Sequence, residues 1–186
     1  IVLIILPILV VILAMGIGRM VISPVEVLKS TFEKFGYDYS INPQNEIVLW
    51  TIRFPRIILA LLVGAGLSVA GCAFQSLFSN PLATPDTLGV ASGTSFGAAL
   101  GILMGFSLIG IQFSALLFGI IAVSLTYLSG TGKGHSMNTI VLAGIMIGSL
   151  FSALVSFTKF VADSESQLPA ITYWLMGSLS SASYKT

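Results

Sequence analysis

Apolar residues fall in long runs along this chain, parted by short polar breaks. The runs cover roughly Ile1 to Ile22, Ile57 to Phe78, Leu88 to Met104, Ile111 to Leu128 and Asn138 to Phe160. One helical crossing of the hydrocarbon layer takes about 20 apolar residues, so the pattern predicts five membrane spans. Each must be helical, because lipid offers no partner to an unpaired backbone N–H or C=O. The third run is short and is not expected to lie flush with its neighbours. The fold class that follows is all-α, a polytopic transmembrane helical bundle.

Residues 23 to 52 form the one long polar connection. Ser23-Pro24-Val25-Glu26 reads as a capping box with proline at the first helical position, predicting a short interfacial helix to about Phe35. Asn42-Pro43 starts another short turn, which delivers Trp50 and Arg53 to the membrane surface. No soluble domain fits in loops of this size. The chain opens on Ile1-Val2-Leu3-Ile4-Ile5 without an initiating Met and closes on Ser183-Tyr184-Lys185-Thr186, so it is expected to be a piece of a longer protein. A cleaved signal peptide is the other reading of residues 1 to 18. A run apolar as far as Ile22 favours a true first span.

Composition sharpens the picture. Apolar residues make up 55% of the chain, charged residues 8%, and mean hydropathy is +1.01. Soluble domains average roughly a quarter charged residues. Between Arg56 and Lys133 the only formal charge is Asp86. A net charge of +1 is too small to suggest nucleic acid. Cys72 stands alone, which excludes an internal disulfide and a cysteine metal cluster.

Within the second run Gly64, Ser68, Gly71 and Gln75 share one helix face. Small residues there let another backbone approach, the usual packing solution in lipid. Gln75 then points into the protein interior, either bonding a neighbouring helix or touching a substrate path. In the third run Gly89, Gly93, Gly97, Gly101 and Gly105 recur every four residues. Each step drifts about 40°, giving a slowly winding stripe and close helix contact along nearly the whole span. That is a statement about packing, not about function. Thr84-Pro85-Asp86 reads as a helix start, with a threonine cap, proline first and a carboxylate near the positive end of the dipole. This accounts for Asp86 without catalysis. His135 sits in a glycine-rich link and reads as a solvated loop histidine, and Gly130 to Gly134 lacks the spacing of a phosphate-binding loop.

An intramembrane enzyme would need a nucleophile and base, paired aspartates or a metal cluster in the spans, and the sequence holds none there. A secondary transporter places ionisable residues near mid-bilayer to couple an ion. The spans lack them, which points to an outside energy source. A purely structural membrane subunit would use the glycines but would have no need of Arg53-Phe54-Pro55-Arg56 or of the break at Asn80-Pro81.

Arg53-Phe54-Pro55-Arg56, the small-residue helix ending in Gly71 and Gln75, and Asn80-Pro81-Leu82-Ala83-Thr84-Pro85 with Leu88-Gly89 resemble one family's signature. It comprises the permeases of the ATP-binding cassette importers for iron–siderophore complexes, haem and cobalamin. Leu142-Ala143-Gly144 and Tyr173-Trp174-Leu175-Met176-Gly177-Ser178-Leu179 are similar to that family's fifth span and the short helix after it. The resemblance is colinear and covers roughly the first half of such a permease.

The resemblance implies a single transmembrane permease domain over residues 1–186, truncated from about ten helices. This fragment would hold five spans plus a short re-entrant or interfacial helix. It implies a homodimer or close heterodimer in the cytoplasmic (inner) membrane, two ATPase subunits below and an extracytoplasmic binding protein above. No catalytic residue and no cofactor is expected on this chain, ATP and Mg belonging to the partner subunits. The implied cargo is an iron chelate (a ferric siderophore), with haem or cobalamin as alternatives. Arg53 and Arg56 match the arginines that meet acidic residues on the binding protein. Gln75, Asn80, Tyr173 and Trp174 fall on the translocation pathway, and Ser136, Met137 and Asn138 where the family narrows its cytoplasmic exit.

Paired guanidiniums at a rim give charge-assisted contacts to carboxylate, each worth ~1.5–3 kcal/mol where water is excluded. The other reading of the pair is snorkelling at a membrane boundary. Orientation is contested. Arg19, Lys29, Lys34, Arg53, Arg56 and Lys159 lie on the side of the 23-to-56 loop, against Lys133 opposite. The positive-inside rule therefore puts that loop in the cytoplasm, whereas the resemblance puts it outside.

Overall fold

A computed structural model of the chain describes residues 2–34, 36, 42–79, 84–130 and 137–184. The regular elements are helices: α1 Val2–Gly16, α2 Pro24–Lys34, α3 Pro43–Ile47, α4 Phe54–Phe78, α5 Val90–Leu103, α6 Leu108–Gly130, α7 Met137–Val161 and α8 Gln167–Met176. A π turn over Val48–Arg53 joins α3 to α4, and a 3-10 turn over Pro85–Leu88 precedes α5. Among the described residues three helices are long and apolar enough to cross a membrane, Pro43–Phe78, Leu108–Gly130 and Asn138–Val161, while Ile5–Gly16 and Val90–Leu103 are shorter apolar helices. The chain divides into two compact units, residues 1–66 with 178–186, and residues 67–177.

In the first unit the expected run to Ile22 stops early. Helix α1 ends at Gly16, whose carbonyl accepts the Ile22 N–H at 3.0 Å, so the chain reverses there. Met15, Ile22, Val27 and Leu49 form the core, with Trp50, Phe54 and Ile57 packed on it. Helix α2 starts at the capping serine: Ser23 Oγ accepts the Glu26 N–H at 3.2 Å. Asn42 Oδ1 likewise accepts the Gln44 N–H at 3.0 Å, with Pro43 in the first helical turn. The sequence predicts only a short turn here. Instead the helix runs unbroken for 36 residues from Pro43 to Phe78.

Pro55 explains how. A proline ring clashes with the carbonyl four residues back and offers no N–H. The backbone widens to a π turn just before it, and the Phe54 N–H bonds the Leu49 carbonyl five residues away.

In the second unit α5 packs against α6, α7 and α8. A Cβ on Gly93 would lie 2.6 Å from Ala122 Cβ and 2.8 Å from the Phe118 carbonyl oxygen of α6. A Cβ on Gly97 would run into the Ser114 backbone, and one on Gly101 would sit 3.3 Å from Ile111 Cα. Ser114 Oγ also donates to the Gly97 carbonyl at 2.7 Å. Phe96, Phe118 and Phe151 close the α5–α6–α7 junction, with ring centroids 5.0 to 6.4 Å apart.

Gly89 faces α7 instead, where a Cβ would lie 2.9 Å from the Gly148 nitrogen. Its φ of +72° ends the 3-10 turn, a conformation that suits glycine. Gly105, at φ +70°, turns the chain after α5, and a Cβ there meets nothing within 4 Å. Gly64, Gly66 and Gly71 of α4 are alike in that respect, with no atom within 4 Å of a built Cβ.

The start of the third span differs from the expected cap. Thr84 makes no side-chain capping bond; its carbonyl accepts the Thr87 N–H at 3.0 Å. The carbonyl of Leu88, left open by the break before α5, is filled by Thr126 Oγ1 of α6 at 3.0 Å, and Thr126 is fully buried.

Candidate functional site

The Arg53-Phe54-Pro55-Arg56 corner lies where the π turn passes into α4. Arg53 is only partly exposed, and its two terminal nitrogens donate to the carbonyls of Met15 and Met20. It thereby fastens the reversal after α1. A Cβ on Gly18 would sit 2.6 Å from that guanidinium, so the reversal closes directly over it. Arg56 donates to the Ser180 carbonyl, while its Nε is buried with no partner among the described residues.

Both cations are thus held by neutral carbonyls, and among the described residues neither meets a carboxylate. Among the described residues the ion pair of this unit is elsewhere: Lys34 Nζ and Glu46 Oε1 are 2.8 Å apart on the surface. The hydrogen bond to Glu46 and its charge hold the Lys34 ammonium above its usual range. Carbonyl anchoring orients a guanidinium without neutralising it, so the corner keeps its positive charge. A carboxylate brought to it gains charge-assisted bonds.

Tyr184 and Trp50 frame the corner. The Tyr184 hydroxyl donates to the Trp50 carbonyl at 2.6 Å, and the Trp50 indole N–H donates to Ser30 Oγ at 2.8 Å. Sequence reasoning missed this pair. Tyr184 lies 134 positions from Trp50, and no periodicity links them.

The remaining expected site residues fall in the second unit. Gln75 is exposed on α4. Tyr173 and Trp174 are 60% and 37% exposed on α8, whose packing residue is the fully buried Ile171. Asn138 is exposed in the first turn of α7; Met137 begins that helix, and Asn80 and Ser136 lie outside the described residues.

Helix α8 is positioned by its first turn. Asp163 Oδ2 accepts the Ser166 N–H at 2.8 Å and the Ser166 hydroxyl at 2.7 Å, bonds that hold its carboxyl below the usual carboxylate range. Gln167 receives the Asp163 N–H at 3.1 Å and donates to the Leu103 carbonyl at the end of α5, also at 3.1 Å. The first turn of α8 is therefore tied to the end of α5. Among the described residues no group of three or more His, Cys, Asp or Glu could hold a metal ion.

Known proteins share this architecture. The chain is 38% identical over 94% of its length to the molybdate import system permease MolB of Haemophilus influenzae, covering 52% of that protein. It is 42% identical over 75% of its length to a Helicobacter pylori protein named a probable iron chelatin transport system permease, covering 42% of it. To the cobalamin import system permease BtuC of Halobacterium salinarum it is 36% identical over 76% of its length and 38% of that protein.

A solved metal-chelate-type ABC transporter in an inward-facing conformation superposes with a TM-score of 0.81 at 37% identity, over 98% of this chain and 54% of that one. The chain spans about half the length of the relatives it matches. The profile of the FecCD transport family matches residues 4–186, and the chain belongs to that family.

Proposed function

We propose that this chain is the N-terminal portion of the permease of an ATP-binding cassette importer, carrying a ferric siderophore handed over by an extracytoplasmic binding protein. The observation that carries the reading is the colinear likeness to import permeases over nearly the whole chain. In this reading the permease is a multi-pass protein of the cytoplasmic membrane, paired as a homodimer or close heterodimer. It binds no cofactor and does no chemistry; ATP and Mg sit on two cytoplasmic ATPase subunits.

Arg53 and Arg56 receive carboxylates of the loaded binding protein. Their carbonyl anchoring, with no carboxylate on them among the described residues, supports this. Gln75, Asn80, Tyr173 and Trp174 contribute to the translocation pathway, which the exposure of Gln75, Tyr173 and Trp174 supports. Ser136, Met137 and Asn138 narrow the cytoplasmic exit.

Molybdate is the second cargo reading, favoured by the relative that covers 94% of the chain; haem and cobalamin follow. Uptake of radiolabelled ferric siderophore, molybdate, haem and cobalamin by a strain lacking its own importers, complemented with the full-length system, separates them. In the intact permease, Arg53→Glu with Arg56→Glu is expected to weaken capture of the loaded binding protein at least tenfold, since two charge-assisted contacts become repulsions. Unchanged docking in that double variant removes the arginines from the interface. Failure of an ATPase subunit to co-purify with the full-length protein removes the importer reading itself.

A further inference from the structure

We propose that Tyr184 is a positioning residue for the Arg53–Arg56 corner: its hydroxyl replaces the backbone N–H that Pro55 lacks and so fixes the π turn that aims the two guanidiniums. The proposal rests on the docking reading above. In the π register each N–H reaches the carbonyl five residues back, as Phe54 reaches Leu49. The next donor in that register would be residue 55, and its acceptor the Trp50 carbonyl. Proline has no N–H to give. The Tyr184 hydroxyl occupies that vacancy, donating to the Trp50 oxygen at 2.6 Å.

The side chain of Tyr184 is 65% exposed, so its ring adds little burial and the hydroxyl bond is its main contribution. Trp50 is held at its other end too, by the indole bond to Ser30 and by the Phe54 ring at 4.9 Å. Four residues before Tyr184, the Ser180 carbonyl takes its bond from Arg56. The segment 178–184 therefore touches the corner twice, once at its backbone and once at its charge.

Register matters because Arg53 ends the π turn and Arg56 stands in α4. Shifting between π and α registers rotates one part of the helix against the other by about 100°, the angle of one residue. The two cations face one partner only while the register holds.

The test uses the full-length permease in lipid nanodiscs, with Tyr184→Phe and Pro55→Ala made singly and together. Amide exchange over residues 49–57 reads the turn, and titration with the purified binding protein of the same importer reads docking. Tyr184→Phe is expected to speed exchange and weaken capture, each by about five- to tenfold, the worth of one hydrogen bond. With Pro55→Ala, residue 55 brings its own N–H, and the Trp50 carbonyl finds a backbone donor in either register. Tyr184→Phe should then change either readout by less than about twofold.

Equal losses in both backgrounds, or no loss in the natural one, overturn the proposal. Should Pro55→Ala fail to fold, Tyr184→Ala decides: Phe as damaging as Ala assigns the effect to the hydroxyl, and a silent Phe refutes it. If the arginine double variant leaves capture unchanged, the docking reading fails while the exchange data still decide on Tyr184.

Discussion

Adding one methyl group at Gly93 tests how closely α5 and α6 are packed. A Cβ there would stand 2.6 Å from Ala122 Cβ and 2.8 Å from the Phe118 carbonyl oxygen. Neither neighbour is the loose end of a flexible side chain. Ala122 is fully buried, and the carbonyl belongs to the backbone of α6. Carbon atoms reach optimal separation at about 3.5 Å, so α6 would have to retreat by close to 1 Å along this contact. The Phe96–Phe118–Phe151 junction would open with it.

Overpacking of this kind costs about 1–3 kcal/mol. At about 2–4 °C per kcal/mol for a chain of this size, Gly93→Ala should lower the melting temperature by about 2–12 °C. The assay is thermal unfolding of the full-length protein in detergent, followed by loss of the monodisperse peak. Gly66→Ala is the control, since nothing lies within 4 Å of a Cβ there; it should leave the midpoint unchanged or raise it slightly, as Ala is the better helix former. Equal behaviour of the two variants would refute the packing argument.

Thr126→Val keeps the shape of the side chain but strands the Leu88 carbonyl, and unfolding in detergent should show a loss of about 0.6–1.7 kcal/mol. The folded pKa of Asp163 is lowered, first by the Ser166 hydroxyl and then by the Ser166 N–H. Its contribution is therefore complete above the ordinary aspartate pKa of 3.8 and is lost as pH falls through the lower folded value. Amide exchange at residues 164–168, normalised to the intrinsic rate at each pH, should stay flat from pH 7 to about pH 5 and accelerate only below the ordinary aspartate range; Asp163→Asn should abolish that acceleration. A rise beginning near neutrality would show that another group governs the turn.

The long spans α6 and α7 were legible because a helix needs an apolar run of about 20 residues to cross a bilayer, whereas the run to Ile22 was cut short by the turn after Gly16. Helices α6 and α7 extend only a few residues beyond the runs that predict them. The glycine period of the third run was legible as a packing stripe. Its partners were not, since the partition of Gly93 and Gly97 to α6 and of Gly89 to α7 depends on tertiary contact. Gly144 and Gly148, which receive the turn before α5, were not singled out as packing residues because α7 carries no long glycine period.

The π turn was hidden for another reason. Pro55 signals a break by local rules, and only the carbonyl bonds of the folded chain show that the helix passes through it. Arg53 shows the limit of motif reading. Its charge marks a surface, yet its nitrogens are spent on the carbonyls of Met15 and Met20. The clasp shown by the fold and the docking contact proposed above would then fall on one side chain.

The interruption before α5 bears on how the protein enters the membrane. Helix α5 has 14 residues, about 21 Å at 1.5 Å each, well short of the ~30 Å hydrocarbon layer. It is preceded by a 3-10 turn and the left-handed Gly89, whose N–H and carbonyl bond Asp86 and Gly93, while the Leu88 carbonyl takes its bond from Thr126 of α6. Such a segment gains little by partitioning into lipid on its own. Thr126 lies downstream in the chain, so the third span is expected to settle fully only once α6 is there to close the Leu88 carbonyl.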